Sequence, residues 1–367
     1  MIKFLKQEKA LFAGLISIAI AYFLMATSYI GPIGHFGSAT GVVFFAIIGV
    51  IFYITKQVVE NAEILAKHFG EPYGTLILIL SASAIEVIMV VTIMLYGPGK
   101  EPMLARDSVF SGIILSVNCL LGLSLLIGGM KYGEQKFNEK SSHSYLAKLG
   151  VMCAIGLLFP MVMPENIISF YKIFIIIVFP ILYGFFLFGQ IGKYSYFFTY
   201  ENSDDKNSQA ESLQKLIRSK IFYRISFLFI YLIIIAALVE FLAIAIDDSI
   251  SYYHLPNSVA AFLVALISRA PEALAVLRAT MRNNIQLSIN IALSSALSTM
   301  GLTIPSVLIV SQLTGLEITI GLTQLQAMLL SSTIIIAYMN KSSGKTNAYG
   351  GAIQFALFLA YLFTLTK

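Results

Sequence analysis

Two carboxylates stand where hydrocarbon would surround them: Glu86 inside YGTLILILSASAIEVIMVVTIMLY, residues 73–96, and Glu272 inside LPNSVAAFLVALISRAPEALAVL, residues 255–277. At mid-bilayer an acidic side chain costs roughly 2.5 to 3.5 kcal/mol on insertion scales, so such groups are retained where they hold a cation or carry a proton. Ser83 stands three residues before Glu86 and Ser268 four before Glu272, so each hydroxyl shares a helix face with its carboxylate. Asn118, Ser294 and Ser295, on the helices that follow, supply further oxygens. These five either coordinate an ion or hydrogen-bond and pack between helices. Hard cations such as Ca2+ take six to eight oxygens. Pro271 adds one more, because it has no amide proton to give the Ile267 carbonyl.

Metal ligands must be deprotonated, so a metal ion and protons compete for the same carboxylates. A vacated pair of ionised acids would carry unpaired buried charge, and protonation removes it. Exchange of cation for proton is the cycle this chemistry favours. Arg269, three residues before Glu272, is the modifier of selectivity. Paired with Glu272, it leaves a net charge suited to one monovalent ion. Turned to a neighbouring helix or snorkelling, it leaves the charge of the site intact. Glu63 and Glu240, in the echoed segments AEILA and VEFLA, lie near helix ends. They either flank the site on a proton or cation path or are solvated interfacial charges.

The elements that must position these groups are transmembrane helices. The chain has 367 residues, is 58% hydrophobic and has a mean hydropathy of +0.84, which places it in lipid. Eleven spans fit the pattern, at roughly 11–30, 40–62, 73–96, 108–130, 145–163, 170–190, 225–246, 257–279, 285–311, 317–339 and 348–365. The first, some twenty apolar residues without a small-residue cleavage site, reads as a retained helix and not a leader. No loop but the one near 200–220 could hold a folded unit, and neither a zinc motif nor a nucleophile with its base accompanies the acids. An enzyme is not expected, nor any cofactor beyond the transported ions.

The net charge of +5 is topological and does not point to a nucleic-acid partner. With the N-terminus in the cytoplasm, 19 of 24 Lys and Arg fall on cytoplasmic ends, Lys100, Arg106, Lys172 and Lys367 lie outside, and Arg269 is within a span. The expected location is the cytoplasmic (inner) membrane, multi-pass, with the bilayer, inorganic cations and protons as partners. Self-association as a homo-oligomer stays open. Cys119 and Cys153 fall in apolar spans and read as small packing residues.

After an extra N-terminal helix in residues 1–36, the chain reads as a five-helix repeat over 37–199, a polar cytoplasmic linker over 200–222, and a second five-helix repeat over 223–367. Each Glu helix is followed by an arginine opening a small-residue helix, RDSVFSGIILSVNCLLGLSLLIGG from 106 and RNNIQLSINIALSSALSTMGLTIP from 282, on which Asn118 falls opposite Ser294. Five is odd, so the second copy crosses in the opposite sense. An all-α polytopic membrane protein with two inverted five-helix repeats brings both acids to one midplane site.

The segments HFGEPYGTLILILSASAIEV (68–87), NCLLGLSLLIGG (118–129) and PEALAVLRATMRNNIQLSINIALSSALSTMGLTIP (271–305) resemble signatures of the cation/Ca2+ exchanger superfamily, and within it the bacterial calcium/proton antiporters. The resemblance implies an 11-helix fold and an antiporter exporting Ca2+, or Na+ or K+, against H+. It implies Glu86 and Glu272 as the paired cation- and proton-binding acids, with Asn118, Ser294 and Ser295 at accompanying polar positions. Arg269 departs from the apolar residue expected there. A Na+/Ca2+ exchanger is the alternative within the class, and a cation channel the alternative outside it.

Overall fold

The computed structural model describes residues 9–26, 38–69, 73–96, 102–192, 221–253, 256–341 and 343–365. Its helices are α1 (Lys9–Ala26), α2 (Ser38–Phe69), α3 (Tyr73–Tyr96), α4 (Leu104–Tyr132), α5 (Glu139–Met161), α6 (Glu165–Ile191), α7 (Ile221–Tyr253), α8 (Asn257–Ser268), α9 (Ala270–Met281), α10 (Ile285–Thr314), α11 (Gln324–Asn340) and α12 (Ala348–Thr364). Among the described residues six helices are long and apolar enough to cross a membrane, or seven if α8 and α9 form one bent span. Shorter apolar helices lie in α1, α3 and α12. α11, which begins Gln-Leu-Gln and carries Ser331, Ser332 and Thr333, is not among either group. The linker 200–222 lies outside the described residues.

Phe170, Phe185 and Phe188 on α6 are about three-quarters exposed, whereas Glu86 and Glu272 are 3% and 7% exposed. Apolar side chains face outward and charges inward, as lipid requires. This is an integral membrane protein. Cys119 and Cys153 are free thiols.

The expected span over 257–279 is two helices bent by 56°. Pro271 sits in the first turn of α9, where its missing amide proton and its ring prevent the helix from running through. Arg269 occupies the turn between the two. The span expected from 317 also starts later. Gly315, at φ +71°, ends α10 in a conformation that favours glycine. Thr323 then opens α11 by a capping box, its hydroxyl accepting from the Gln326 amide at 3.4 Å while its amide donates to the Gln326 side chain at 3.0 Å.

α12 lies along the second half of α4, backbone against backbone. A Cβ on Gly351 would stand 2.2 Å from the Leu126 nitrogen, and one on Gly129 would stand 2.2 Å from the Ala348 nitrogen. Small residues permit that approach, which replaces the hydrophobic drive missing in lipid. α8 packs on the first half of α4, α9 on α10, and α3 on both α8 and α10. The helices carrying the acids and the small-residue helices therefore form one centre, with α2 and α7 packed behind α3.

Two polar ties join the halves away from that centre. In one, the buried Arg106 guanidinium pairs with Asp107 at 2.8 Å and donates to the Gly321 carbonyl at 2.6 Å, and Gln326 donates to Asp107 at 2.9 Å. In the other, β1 (Gln135–Lys136) pairs antiparallel with β2 (Lys345–Thr346), and the Phe137 amide donates to Gly344 at 3.0 Å. Lys341, just past the last turn of α11, is fully buried there with its ammonium 5.8 Å from the Phe137 ring centroid. That ammonium has no hydrogen-bond partner among the described residues, and burial pushes its pKa down to about 7.

Candidate functional site

Glu86 lies well inside α3, whose hydrophobic sequence makes it a continuous helix. Glu272 lies in the first turn of α9, directly after Pro271, the second residue of that helix. Arg269, in the break, points its guanidinium between the two acids. Nη2 donates to Glu86 Oε1 at 2.8 Å, and Nη1 lies 3.5 Å from Glu272 Oε1. The guanidinium also donates to the hydroxyls of Ser295 and Thr299 on α10. Ser295 in turn donates to Glu272 Oε1 at 3.0 Å. The Thr299 hydroxyl stands 3.1 Å from Glu86 Oε2 and 3.0 Å from the Ser295 carbonyl, so its one proton serves either. Arg269 is 2% exposed, which makes this a chain of buried, charge-assisted contacts crossing from one half of the sequence to the other.

The wall behind the guanidinium is Gly112 on α4. A Cβ there would come 3.0 Å from Nη2 and 3.4 Å from Nε. Glu272 Oε2, Arg269 Nε and Asn118 Oδ1 are buried without hydrogen-bond partners among the described residues. Thr299 and Thr303 bound a π-helical stretch in α10, and Asn118 lies in another, Leu115–Leu120, in α4. Such bulges turn side chains off the regular helical register and recur at functional sites.

The structure thus brings Glu86, Glu272, Arg269 and Ser295 together. The other residues singled out from the sequence surround them less directly. Ser83 is buried one turn before Glu86 on the same helix. The Ser268 and Ser294 hydroxyls donate to carbonyls of their own turns, Ala265 at 3.0 Å and Ile291 at 3.1 Å. Asn118 donates to Thr333 on α11 at 2.7 Å. Glu240 is half-buried on α7 and makes no hydrogen bond or ion pair with this group. The side chain of Glu63 lies outside the described residues. Thr299 was not among the sequence candidates, although its position four residues after Ser295 puts both hydroxyls on one helix face. Among the described residues no cluster of three or more His, Cys, Asp or Glu forms, and the group consists of two acids, the Arg269 guanidinium and hydroxyls.

The chain belongs to the sodium/calcium exchanger protein family, whose model matches residues 39–192 and 224–367. It is 32% identical over 310 residues to the sodium-potassium/proton antiporter ChaA of Escherichia coli (strain K12), covering 84% of each chain. It is 22% identical over 316 residues to a Ca(2+)/H(+) antiporter of Aphanothece halophytica, covering 82% of this chain and 83% of that one. Among solved structures, native YfkE matches with a TM-score of 0.71 at 16% identity, over 97% of this chain and 99% of that one. The H+/Ca2+ exchanger CAX matches at 0.64 and 14% identity, over 98% and 88%. At these identities the structural likeness speaks for the fold alone.

Proposed function

We propose that this protein is a secondary antiporter of the cytoplasmic membrane, exchanging an inorganic cation, Ca2+, Na+ or K+, for protons at a midplane site built on Glu86 and Glu272. The observation that carries this reading is the convergence of two acids, far apart in sequence, on one buried guanidinium at 2.8 and 3.5 Å. Carboxylates held this deep cannot cross between the faces of the membrane with unbalanced charge, so either a cation or a proton accompanies the changeover. That alternation makes the movement an exchange and not a leak. Eleven spans, with the N-terminus in the cytoplasm and two inverted five-helix repeats rocking about the site, complete the proposal.

The test is flux in proteoliposomes carrying an internal pH dye. Pulses of Ca2+, Na+ or K+ should release protons through the wild type, and Glu86→Gln or Glu272→Gln should fall to the protein-free background. Full coupled transport by either Gln protein overturns the site. Calcium movement that follows sodium and leaves internal pH unchanged would replace proton exchange by Na+/Ca2+ exchange, and current carried by one ion alone would make the protein a channel.

A further inference from the structure

Arg269 holds oxygens that a transported cation would use. Glu86 Oε1 and the hydroxyls of Ser295 and Thr299 already accept from its guanidinium, and Glu272 Oε1 lies 3.5 Å from it. A guanidinium stays charged in any protein environment. Against two carboxylates it leaves a net charge of about minus one, and the site has no third acid among the described residues to restore a second charge. Two further features mark this as a built arrangement. Gly112 leaves room for the guanidinium, where a Cβ would press on Nη2 at 3.0 Å. Glu272 Oε2 is a buried oxygen of the same carboxylate without a hydrogen-bond partner among the described residues, so one acceptor remains uncommitted.

We infer that Arg269 is a resident cation of the transport site, which sets its charge for a monovalent ion of the Na+ or K+ class and competes with that ion for Glu86. The inference rests on the antiport reading and narrows its cargo. A divalent ion would need the second negative charge that Arg269 neutralises, together with oxygens that the guanidinium occupies. A monovalent ion needs neither. It engages the free oxygen of Glu272 and the nearby hydroxyls, and draws Glu86 away from Arg269 as it settles.

The experiment measures ion preference twice, by proton release from dye-loaded proteoliposomes and by thermal stabilisation of the purified protein in detergent as NaCl, KCl or CaCl2 is raised. The wild type should respond to Na+ or K+ at a concentration at least about tenfold below that for Ca2+, a difference of roughly 1.4 kcal/mol. Arg269→Leu should move the preference at least about tenfold toward Ca2+, while Arg269→Lys, which keeps the charge, should keep the monovalent preference. If Arg269→Leu does not fold, Gly112→Ala carries the test: its methyl crowds Nη2 and should shift preference in the same direction by a smaller factor. A wild type that prefers Ca2+, or an unchanged preference in folded Arg269→Leu or Gly112→Ala, overturns the inference. A wild type in which no ion releases protons overturns the antiport reading instead, and the thermal arm still reports which ion the site prefers.

Discussion

Glu86 and Glu272 meet at one guanidinium, yet their surroundings differ. Glu86 sits on an unbroken helix with both oxygens engaged, one by Arg269 and one by Thr299. Glu272 lies in the first turn of a helix after a break, shares one oxygen between Ser295 and a longer contact to Arg269, and has the other without a hydrogen-bond partner among the described residues. The difference comes from Arg269 and Pro271, which have no counterparts ahead of Glu86, where the sequence reads Ser-Ala-Ser-Ala-Ile. One acid is therefore locked and the other available. The same contrast recurs at the two ties between the halves, where Arg106 is fully paired and Lys341 has no hydrogen-bond partner among the described residues.

The largest effect should come from unlocking the locked acid. Glu86→Leu takes the nearer carboxylate from the buried Arg269 charge and should destabilise the protein by about 3 kcal/mol, as breaking one side of a buried pair does. Glu272→Leu should cost less, about 1 to 2 kcal/mol, since it removes one hydroxyl bond and a 3.5 Å contact. Thermal unfolding in detergent checks the ranking, and equal losses would erase the asymmetry. Glu86→Leu and Arg269→Leu should not add in the double variant, since they remove the two sides of one 2.8 Å pair; a double-mutant cycle without coupling would show that the pair is not the cause.

Thr299→Val preserves shape and removes the hydroxyl that serves both Glu86 and Arg269, so it should destabilise by about 1 kcal/mol and weaken ion-dependent stabilisation several-fold. An unchanged ion response would remove Thr299 from the site.

A further effect is read through pH at Lys341, whose buried ammonium at the end of α11 has no hydrogen-bond partner among the described residues. Lys341 binds its proton less readily folded, at about 7, than unfolded, at the ordinary lysine value of 10.5. Between those values the unfolded chain holds more protons, so stability rises with pH through this window and falls as pH drops toward 7. Lys341→Met should flatten that slope and raise the thermal midpoint at pH 6 by a few degrees, with no comparable gain near pH 10. Arg106→Met should do the opposite, lowering the midpoint at every pH because it leaves Asp107 and the Gly321 carbonyl without their donor.

Much of this molecule is written locally. Apolar run lengths place the helices, and the rarity of acids within them selects Glu86 and Glu272, because lipid penalises any charge that has no task. Pro271 reads in the sequence only as freeing the Ile267 carbonyl, and the break it makes in the expected span over 257–279 emerges in the structure. What no local pattern could decide is which acid the Arg269 guanidinium would meet. Spacing suggested Glu272, three residues on, whereas the shorter contact is to Glu86, 183 positions away in sequence, because the 56° bend turns the arginine across the bundle toward α3. Thr299 and Gly112 join the site for the same reason: a hydroxyl and a missing side chain acquire meaning only once distant helices pack around one charge. Helix positions follow from each segment's own solvation, while the charge balance of the site depends on contacts between segments and belongs to the tertiary structure.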